Sequence, residues 1–302
     1  MSSEFRKTIN TLIAREHLPP GYKTTVATTI VPLVEAIVAL QKRQNRPVIV
    51  GIHGAQGTGK STLALFLSKL LRWHWHCPAV SLSLDDFYLT RDEREHLARS
   101  VHPLLATRGV PGSHDLALGN RVLDQLLAAR PGDITAIPSF DKATDDRVPE
   151  ADWPVFEGPA KVILLEGWCL GATPQREPAL INPVNALEAN EDPEGLWRRY
   201  VNECLETGYR SFFHRLDWLV MLKAPSMECV LQWRRLQEQK LAQRYAGAPG
   251  LRIMSDNEVQ RFVMHYQRVT EHCLRELPAR ADVLIPVGED HIMEAPVWNT
   301  RN

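Results

Sequence analysis

The chain has 302 residues, 44% hydrophobic and 24% charged, with a formal net charge of -1. This is globular composition, long enough for one large α/β domain with additions, and it lacks the global basic field that draws in nucleic acid. Five cysteines (Cys77, Cys169, Cys204, Cys229, Cys273) form no C-x-x-C pair, which argues against a thiolate metal site and for reduced, buried thiols in a cytoplasmic protein.

The first residues, MSSEFRKTINTLIAREH, carry charges throughout and lack the apolar core of a signal peptide. No window approaches the roughly 18 uninterrupted apolar residues of a membrane helix. Residues 4–16 and 24–44 read as helices parted by LPPGY, whose Pro-Pro-Gly stops a continuous helix. RPVIVGIH (46–53) is a short β-branched run of buried-strand length. GAQGTGKS, Gly54 to Ser61, follows at once and leads into TLALFLSKLL. Strand, G-x-x-x-x-G-K-[ST] and helix in that order give a P-loop in its required context. The glycines let Gly54, Ala55, Gln56, Gly57, Thr58 and Gly59 curl so that backbone N–H groups face phosphate oxygens. The following helix, opening with Lys60, Ser61 and Thr62, adds partial positive charge at its N-terminus. Lys60 is expected to reach the β/γ-phosphates of a nucleotide and Ser61 to ligate Mg²⁺. Beyond that helix (60–72), His74 and His76 in WHWHCP have no further ligands at matching spacing, so they do not predict a metal site.

AVSLSL (79–84) is the next strand candidate, and SLSLDDFYLT (81–90) places Asp85 and Asp86 at its end. Just after the P-loop helix, Asp85 should arrive beside the γ-phosphate, where a carboxylate aligns an attacking hydroxyl and takes its proton. The alternative, a cap for the helix around 91–99 or a pair with a loop arginine, suits Asp86 better. RGVPGSHDL (108–116) gathers Arg108, His114 and Asp115 around a Pro-Gly turn. An acidic substrate needs a cation, and a bidentate arginine suits a carboxylate best. Arg108 and Arg147 are the candidates, with Lys142 of PSFDKATDDR (138–147) a third. His114 is a candidate hydrogen-bond partner for a hydroxyl. A solvated polar loop is the alternative for the set.

Residues 119–129 predict a helix, and ITAIPS (134–139) and KVILLE (161–166) predict strands. The latter ends on Glu166, where an acid typically stands beside Mg²⁺. The chain has no Asn-Lys pair, so a guanine-reading N-K-x-D is absent and ATP is favoured. Helices over 194–213, 226–245 and 256–277 and strands at DWLVML (217–222) and DVLIPV (282–287) complete the pattern. The last helix starts with a capping box, Ser255 and Glu258. In the basic helix LQWRRLQEQKLAQRY (231–245), Arg234 and Arg235 are in the place of a lid that closes on the triphosphate. A solvated face with Glu238 as internal partner is the other reading. Trp233 reads as core. Alternating strands and helices predict a parallel sheet covered by helices on both faces, with ligands at the carboxyl ends of its strands.

GAQGTGKST, SLDDFY and LLEGW together resemble the phosphoribulokinase/uridine kinase/pantothenate kinase superfamily. In that group an S-x-D-x-F-Y segment carries the aspartate base, which the match assigns to Asp85 rather than Asp86. RGVPGSHDL, PSFDKATDDR, LLEGWCLG, NEDPEGLWRRYVNECL and MSDNEVQRFVMHY resemble, more narrowly, the plant-type D-glycerate 3-kinases and their fungal ATP-binding relatives. The resemblance implies an α/β P-loop NTPase-type fold using ATP and Mg²⁺, with a small hydroxy acid as phosphoryl acceptor. It covers most of 45–287. FDKATDDR departs from the family's longer, glycine-containing segment, which leaves the acceptor open between glycerate and a nucleoside, pantothenate or a sugar phosphate. An ATP-binding regulatory module with little turnover is the rival of another class. The expected organisation is an N-terminal helical extension (1–44), which is a family accessory or a dimer surface, a P-loop kinase domain (45–290) and a C-terminal tail (291–302). By analogy the adenine pocket falls near VGEDH (287–291). Nothing in the sequence indicates an oligomer.

Overall fold

Val48–Gly54 (β1) is buried at every position, which requires a strand covered on both faces. The computed structural model describes residues 2–244 and 253–299 and shows what covers it. Ala79–Ser83 (β2), Val162–Gly167 (β3), Trp218–Lys223 (β4), Val283–Pro286 (β5) and Val297–Trp298 (β6) join β1 in one sheet. The spatial order is β6-β5-β4-β1-β3-β2. All neighbours are parallel except β6, which runs antiparallel to β5. The register sets Ile52 of β1 and Ser83 of β2 on either side of Glu166. The strand ends that carry chemistry thus meet at one edge of the sheet.

The longer helices are Ser3–Arg15 (α1), Tyr22–Gln44 (α2), Lys60–His74 (α3), Arg91–Ser100 (α4), Leu116–Ala128 (α5), Leu196–Cys204 (α6), Met227–Arg244 (α7) and Asp256–Glu276 (α8). On one face of the sheet Phe5, Ile30, Leu33 and Ile37 of α1 and α2 pack with Leu63 and Phe66 of α3 against Val50 and Ile52. On the other, Leu123, Trp197, Phe212 and Val269 cover Ile49, Leu165 and Met221. The first 44 residues share their core with the P-loop helix. Their attachment is completed from far along the chain, where the Thr29 hydroxyl donates to the Glu294 carbonyl at 2.9 Å.

Three expectations need correction. Tyr22–Gln44 is long and apolar enough to cross a membrane by length and composition, although no such window was expected. The helix nevertheless buries Val26, Ile30, Leu33, Val34 and Ile37 in the core. ITAIPS does not join the sheet. Ile134–Ala136 pairs antiparallel with Val155–Glu157 in a separate ribbon, leaving Ile134 66% and Val155 56% exposed. A run with that much apolar surface in solvent mimics a buried strand in sequence only. The third concerns the cap of α4. It is Thr90 with Glu93, a reciprocal capping box, and neither Asp85 nor Asp86 serves there. The box at Ser255 and Glu258 forms as expected.

Because α2 lies inside a shared core, Leu33→Ala, at a position 0% exposed, is expected to lower unfolding free energy by about 2–5 kcal/mol. Denaturant titration should show a single transition at reduced midpoint. A separate early transition would make the N-terminal helices an independent unit.

Candidate active site

The loop leaving β1 turns back into α3 through left-handed backbone at Gly57 and Gly59, with φ of +85° and +88°. L side chains strain at such angles. A Cβ on Gly57 would also stand 2.6 Å from Trp233 Cβ, because α7 lies directly on the outer side of the loop. His291 completes this brace, its ring 4.5 Å from Trp233 and its Nδ1–H donating to the Gly57 carbonyl at 3.1 Å. The Trp233 indole donates in turn to the Glu289 carbonyl at 3.1 Å. Thus 289 and 291, from the stretch compared with an adenine pocket, hold the loop from outside. Trp233 is buried in the core, as expected. Inside the loop Thr58 Oγ1 donates to the Ala55 carbonyl at 2.8 Å, closing the curl.

Glu166 stands at the end of β3, buried. Its Oε1 accepts from Ser61 Oγ at 2.7 Å and from Ser83 Oγ at 3.2 Å. Its Oε2 lies 3.8 Å from Lys60 Nζ and has no hydrogen-bond partner. A buried carboxylate oxygen without a donor is costly. With the Ser61 hydroxyl beside it, it forms a hard oxygen-donor pair that suits a small divalent cation completed by water and phosphate.

Asp85 is the second residue of the 3₁₀ turn Leu84–Phe87, which directly follows β2. Its Oδ1 accepts from the Tyr88 hydroxyl at 2.8 Å and its Oδ2 from Lys142 Nζ at 2.6 Å. Burial alone pushes this carboxyl up. The charges of Lys142 and Lys60 and the two hydrogen bonds outweigh it and hold Asp85 well below the usual carboxylate range. Asp86 goes the other way: burial, assisted by the charge on Asp85, pushes it up to about 6, against the hydrogen bond it accepts from Phe140 N–H at 3.2 Å. It fastens the hairpin formed by Phe140–Asp141 and Asp146–Arg147. The two aspartates are chemically distinct, one ionised toward the P-loop and one tied to backbone.

The remaining expected residues converge around Tyr88. Arg108 pairs with Asp145 and lies 5.5 Å from the Phe140 ring centre. Arg147 donates to the Tyr88 carbonyl at 2.8 Å and to Asp115 Oδ2 at 3.4 Å, while its buried Nε has no partner. Asp115 also caps α5, accepting from Leu118 N–H at 2.8 Å. His114 stacks on Tyr88 with ring centres 4.7 Å apart, and burial pushes it down to about 4, so it is neutral at pH 7. Its tautomer follows from its neighbours. Gly112 N–H donates to the Tyr209 hydroxyl at 2.9 Å, so that hydroxyl's own proton goes to His114 Nδ1 at 2.5 Å. His114 Nε2 therefore carries hydrogen, and it is buried without an acceptor. Lys142, expected beside the substrate, has its ammonium on Asp85.

The lid arginines take the alternative arrangement in part. Arg234 is 2.7 Å from Glu238, one turn on, and lies 5.3 Å from the Phe262 ring centre. Glu238 is buried and needs that counter-charge. Its other oxygen accepts from Met254 N–H at 2.9 Å. Arg235 keeps a buried Nε without a partner. Tyr245 of the lid segment and residues 300–302 of the tail lie outside the described residues. Tyr209 and Tyr266 are contributions that sequence reasoning did not single out. Tyr266 donates to the Arg108 carbonyl at 3.1 Å and stands where a Cβ on Gly109 would meet its hydroxyl at 2.1 Å. Tyr88 was legible only as part of the S-x-D-x-F-Y string.

No family model matches the chain. It is 35% identical over 233 residues to the uncharacterized kinase mug58 of Schizosaccharomyces pombe, an alignment covering 74% of this chain and 80% of that one. It is 35% identical over 228 residues to the chloroplastic D-glycerate 3-kinase of Arabidopsis thaliana, covering 73% of this chain but only 46% of the plant protein's length. The fold matches the D-glycerate 3-kinase structure from Cryptococcus neoformans with a TM-score of 0.73 at 22% identity, over 89% of this chain and 99% of that one. The chain belongs to the phosphoribulokinase/uridine kinase/pantothenate kinase superfamily of ATP-using small-molecule kinases, as a relative of the D-glycerate 3-kinases.

Proposed function

We propose that this kinase transfers the γ-phosphoryl group of ATP to a hydroxyl of a small hydroxy acid, D-glycerate. The observation that carries the reading is the position of Asp85. It is ionised and within the influence of Lys60 on the phosphate side, and on the acceptor side it accepts from Lys142 and Tyr88, with Arg147 on the Tyr88 carbonyl and Arg108 on Asp145 of the same hairpin. An ionised carboxylate beside a phosphate-binding lysine has a use if a second substrate brings a hydroxyl to it. A nucleotide sensor needs no such group. Cations and a neutral imidazole N–H around Tyr88 suit an acceptor that combines a carboxylate with hydroxyls. The D-glycerate 3-kinase activity of the plant relative supports the same acceptor.

The P-loop amides and Lys60 would hold the β- and γ-phosphates. Ser61 Oγ and the open oxygen of Glu166 would hold Mg²⁺, which when bound neutralises charge developing on the phosphate oxygens. The acceptor hydroxyl gives its proton to Asp85 as its oxygen bonds to the γ-phosphorus and the bond to the β-bridging oxygen breaks, releasing ADP. His114 Nε2–H and the Arg147 Nε–H are the free donors for the acceptor's oxygens, and Arg108 joins them if the acceptor's carboxylate replaces Asp145. Arg235 is the lid arginine with a donor still available for the triphosphate, whereas Arg234 reaches it by leaving Glu238. Positioning and electrostatics supply most of the rate, with the base adding about 10²–10⁴.

Acceptor-stimulated ADP release from MgATP should be strongest with D-glycerate in a panel containing uridine, pantothenate and ribulose 5-phosphate. Stimulation by uridine alone would overturn the glycerate assignment, and none across a broad panel would favour the binding module. Asp85→Asn should keep ATP affinity and lose at least about a hundredfold in kcat, while Asp86→Asn loses far less; equal losses would sink the division of roles. The depressed Asp85 carboxyl sets the sign of the pH dependence. The basic form is present above its lowered pKa, so the acid limb of kcat/KM should fall below the ordinary carboxylate range of about 3.9. Glu166→Gln should raise the Mg²⁺ concentration for half-maximal rate by about 10–100-fold, read by titrating Mg²⁺ at fixed ATP.

A further inference from the structure

Lys142 lies in the turn of the hairpin formed by Phe140–Asp141 and Asp146–Arg147. Its side chain is 60% exposed, against 22% for the Asp85 side chain it touches. Both oxygens of Asp85 are engaged by this chain, Oδ1 by the Tyr88 hydroxyl and Oδ2 by the Lys142 ammonium. The two donors differ in kind. Tyr88 is a buried ring held between His114 and Phe140. Lys142 is a point charge on a flexible four-carbon stem in solvent. If a substrate hydroxyl is to reach Asp85, Lys142 is the donor that can be displaced.

We propose that Lys142 is a charge-operated cover on Asp85: it occupies the base until the carboxylate of an acidic acceptor draws the ammonium to itself, uncovering Oδ2 for the acceptor's hydroxyl. The inference rests on Asp85 as base and on a hydroxy acid as acceptor. The other nearby cations do not combine these contacts. Arg108 pairs with Asp145, Arg147 with Asp115 and the Tyr88 carbonyl, and Lys60 faces Glu166. Lys142 alone among these four has its ion pair with the base itself.

The exchange is selective because of what each acceptor leaves behind. An acidic acceptor gives the ammonium a new carboxylate, so the ion pair is replaced rather than lost. A neutral polyol or water must separate the pair without offering a counter-charge, and a partly buried carboxylate loses a charged donor. The cover therefore favours acids over neutral acceptors of the same skeleton and suppresses transfer of phosphate to water. Asp85 is also faced by Lys60 from α3, Asp86 and Tyr88 in its own segment, neutral His114, the buried Cys169 thiol beyond β3, and Tyr266 from α8. Among these Lys142 is the leading influence that lowers its carboxyl. Removing it raises the proton affinity of the base.

The test compares the full-length protein with Lys142→Met and Lys142→Arg, using D-glycerate, glycerol and no acceptor. In Lys142→Met the preference for D-glycerate over glycerol in kcat/KM should fall by about tenfold or more, chiefly through KM for the acid. Acceptor-free ADP release should rise severalfold, and the acid limb should move to higher pH. Lys142→Arg should restore part of the preference. Unchanged acceptor-free hydrolysis in Lys142→Met overturns the cover, whichever acid the enzyme uses. So does an equal kcat loss for both acceptors without added hydrolysis, which would assign Lys142 to the transferring phosphoryl group. Asp85→Asn separates the two claims: full kcat there refutes the base, whereas an inactive Asp85→Asn with unchanged Lys142→Met refutes only the cover.

Discussion

One carboxylate oxygen ties the phosphate side of the site together. Glu166 Oε1 receives hydroxyls from Ser61, in the first turn of α3, and from Ser83, the last residue of β2. The parallel register that puts Ser83 opposite Glu166 is set several residues away by apolar pairs such as Val80 with Ile163. A one-residue slip in that ladder would turn Ser83 and Glu166 to opposite faces. The packing of the sheet core therefore fixes where the P-loop helix, the strand-end acid and the turn bearing Asp85 meet. Lys60, on the same helix as Ser61, is carried to the open oxygen of Glu166 by the same arrangement.

The acceptor side follows a different rule. Its cations have carboxylate or carbonyl partners within the chain, and those partners lie on loops: Asp145 for Arg108, Asp115 for Arg147, Asp85 for Lys142. A site built this way is electrically balanced before any substrate arrives. An incoming acid exchanges with existing partners rather than filling a bare positive pocket, so net attraction is modest and discrimination depends on which partner is replaced. The uncommitted buried donors, His114 Nε2 and Arg147 Nε, mark where hydrogen bonds are still to be made.

Sequence periodicity was sufficient for the parallel strands, since β1 and β3 are largely apolar runs buried on both faces, but not for β6, a two-residue exposed edge strand within what reads as a tail. The P-loop was legible because glycine spacing is a backbone requirement. Asp85 could be separated from Asp86 through the S-x-D-x-F-Y pattern, although their opposite proton affinities come from Lys142 and burial, which no spacing encodes. Tyr209 and Tyr266 escaped notice because they reach the site from helices packed across the sheet, and an amphipathic helix gives the same pattern whether a buried tyrosine is packing or holding an imidazole tautomer. Ile134–Ala136 failed the other way: a short β-branched run bounded by turn residues reads as a buried strand, and only its exposure shows otherwise. Arg234 had two readings in sequence, and in this structure it pairs with buried Glu238 one turn on.

The hydrogen bond from Thr29 to the Glu294 carbonyl spans 265 positions. During synthesis α2 emerges before every strand it packs on, and its hydrogen bond to Glu294 is made with a residue from beyond β5. Loop closure over that distance is slow compared with local helix formation. The nascent chain thus carries an apolar helix, membrane-like in length and composition, before any of the strands that cover it has emerged. That interval, rather than the finished fold, is where the apolar face of the helix is open to misassociation.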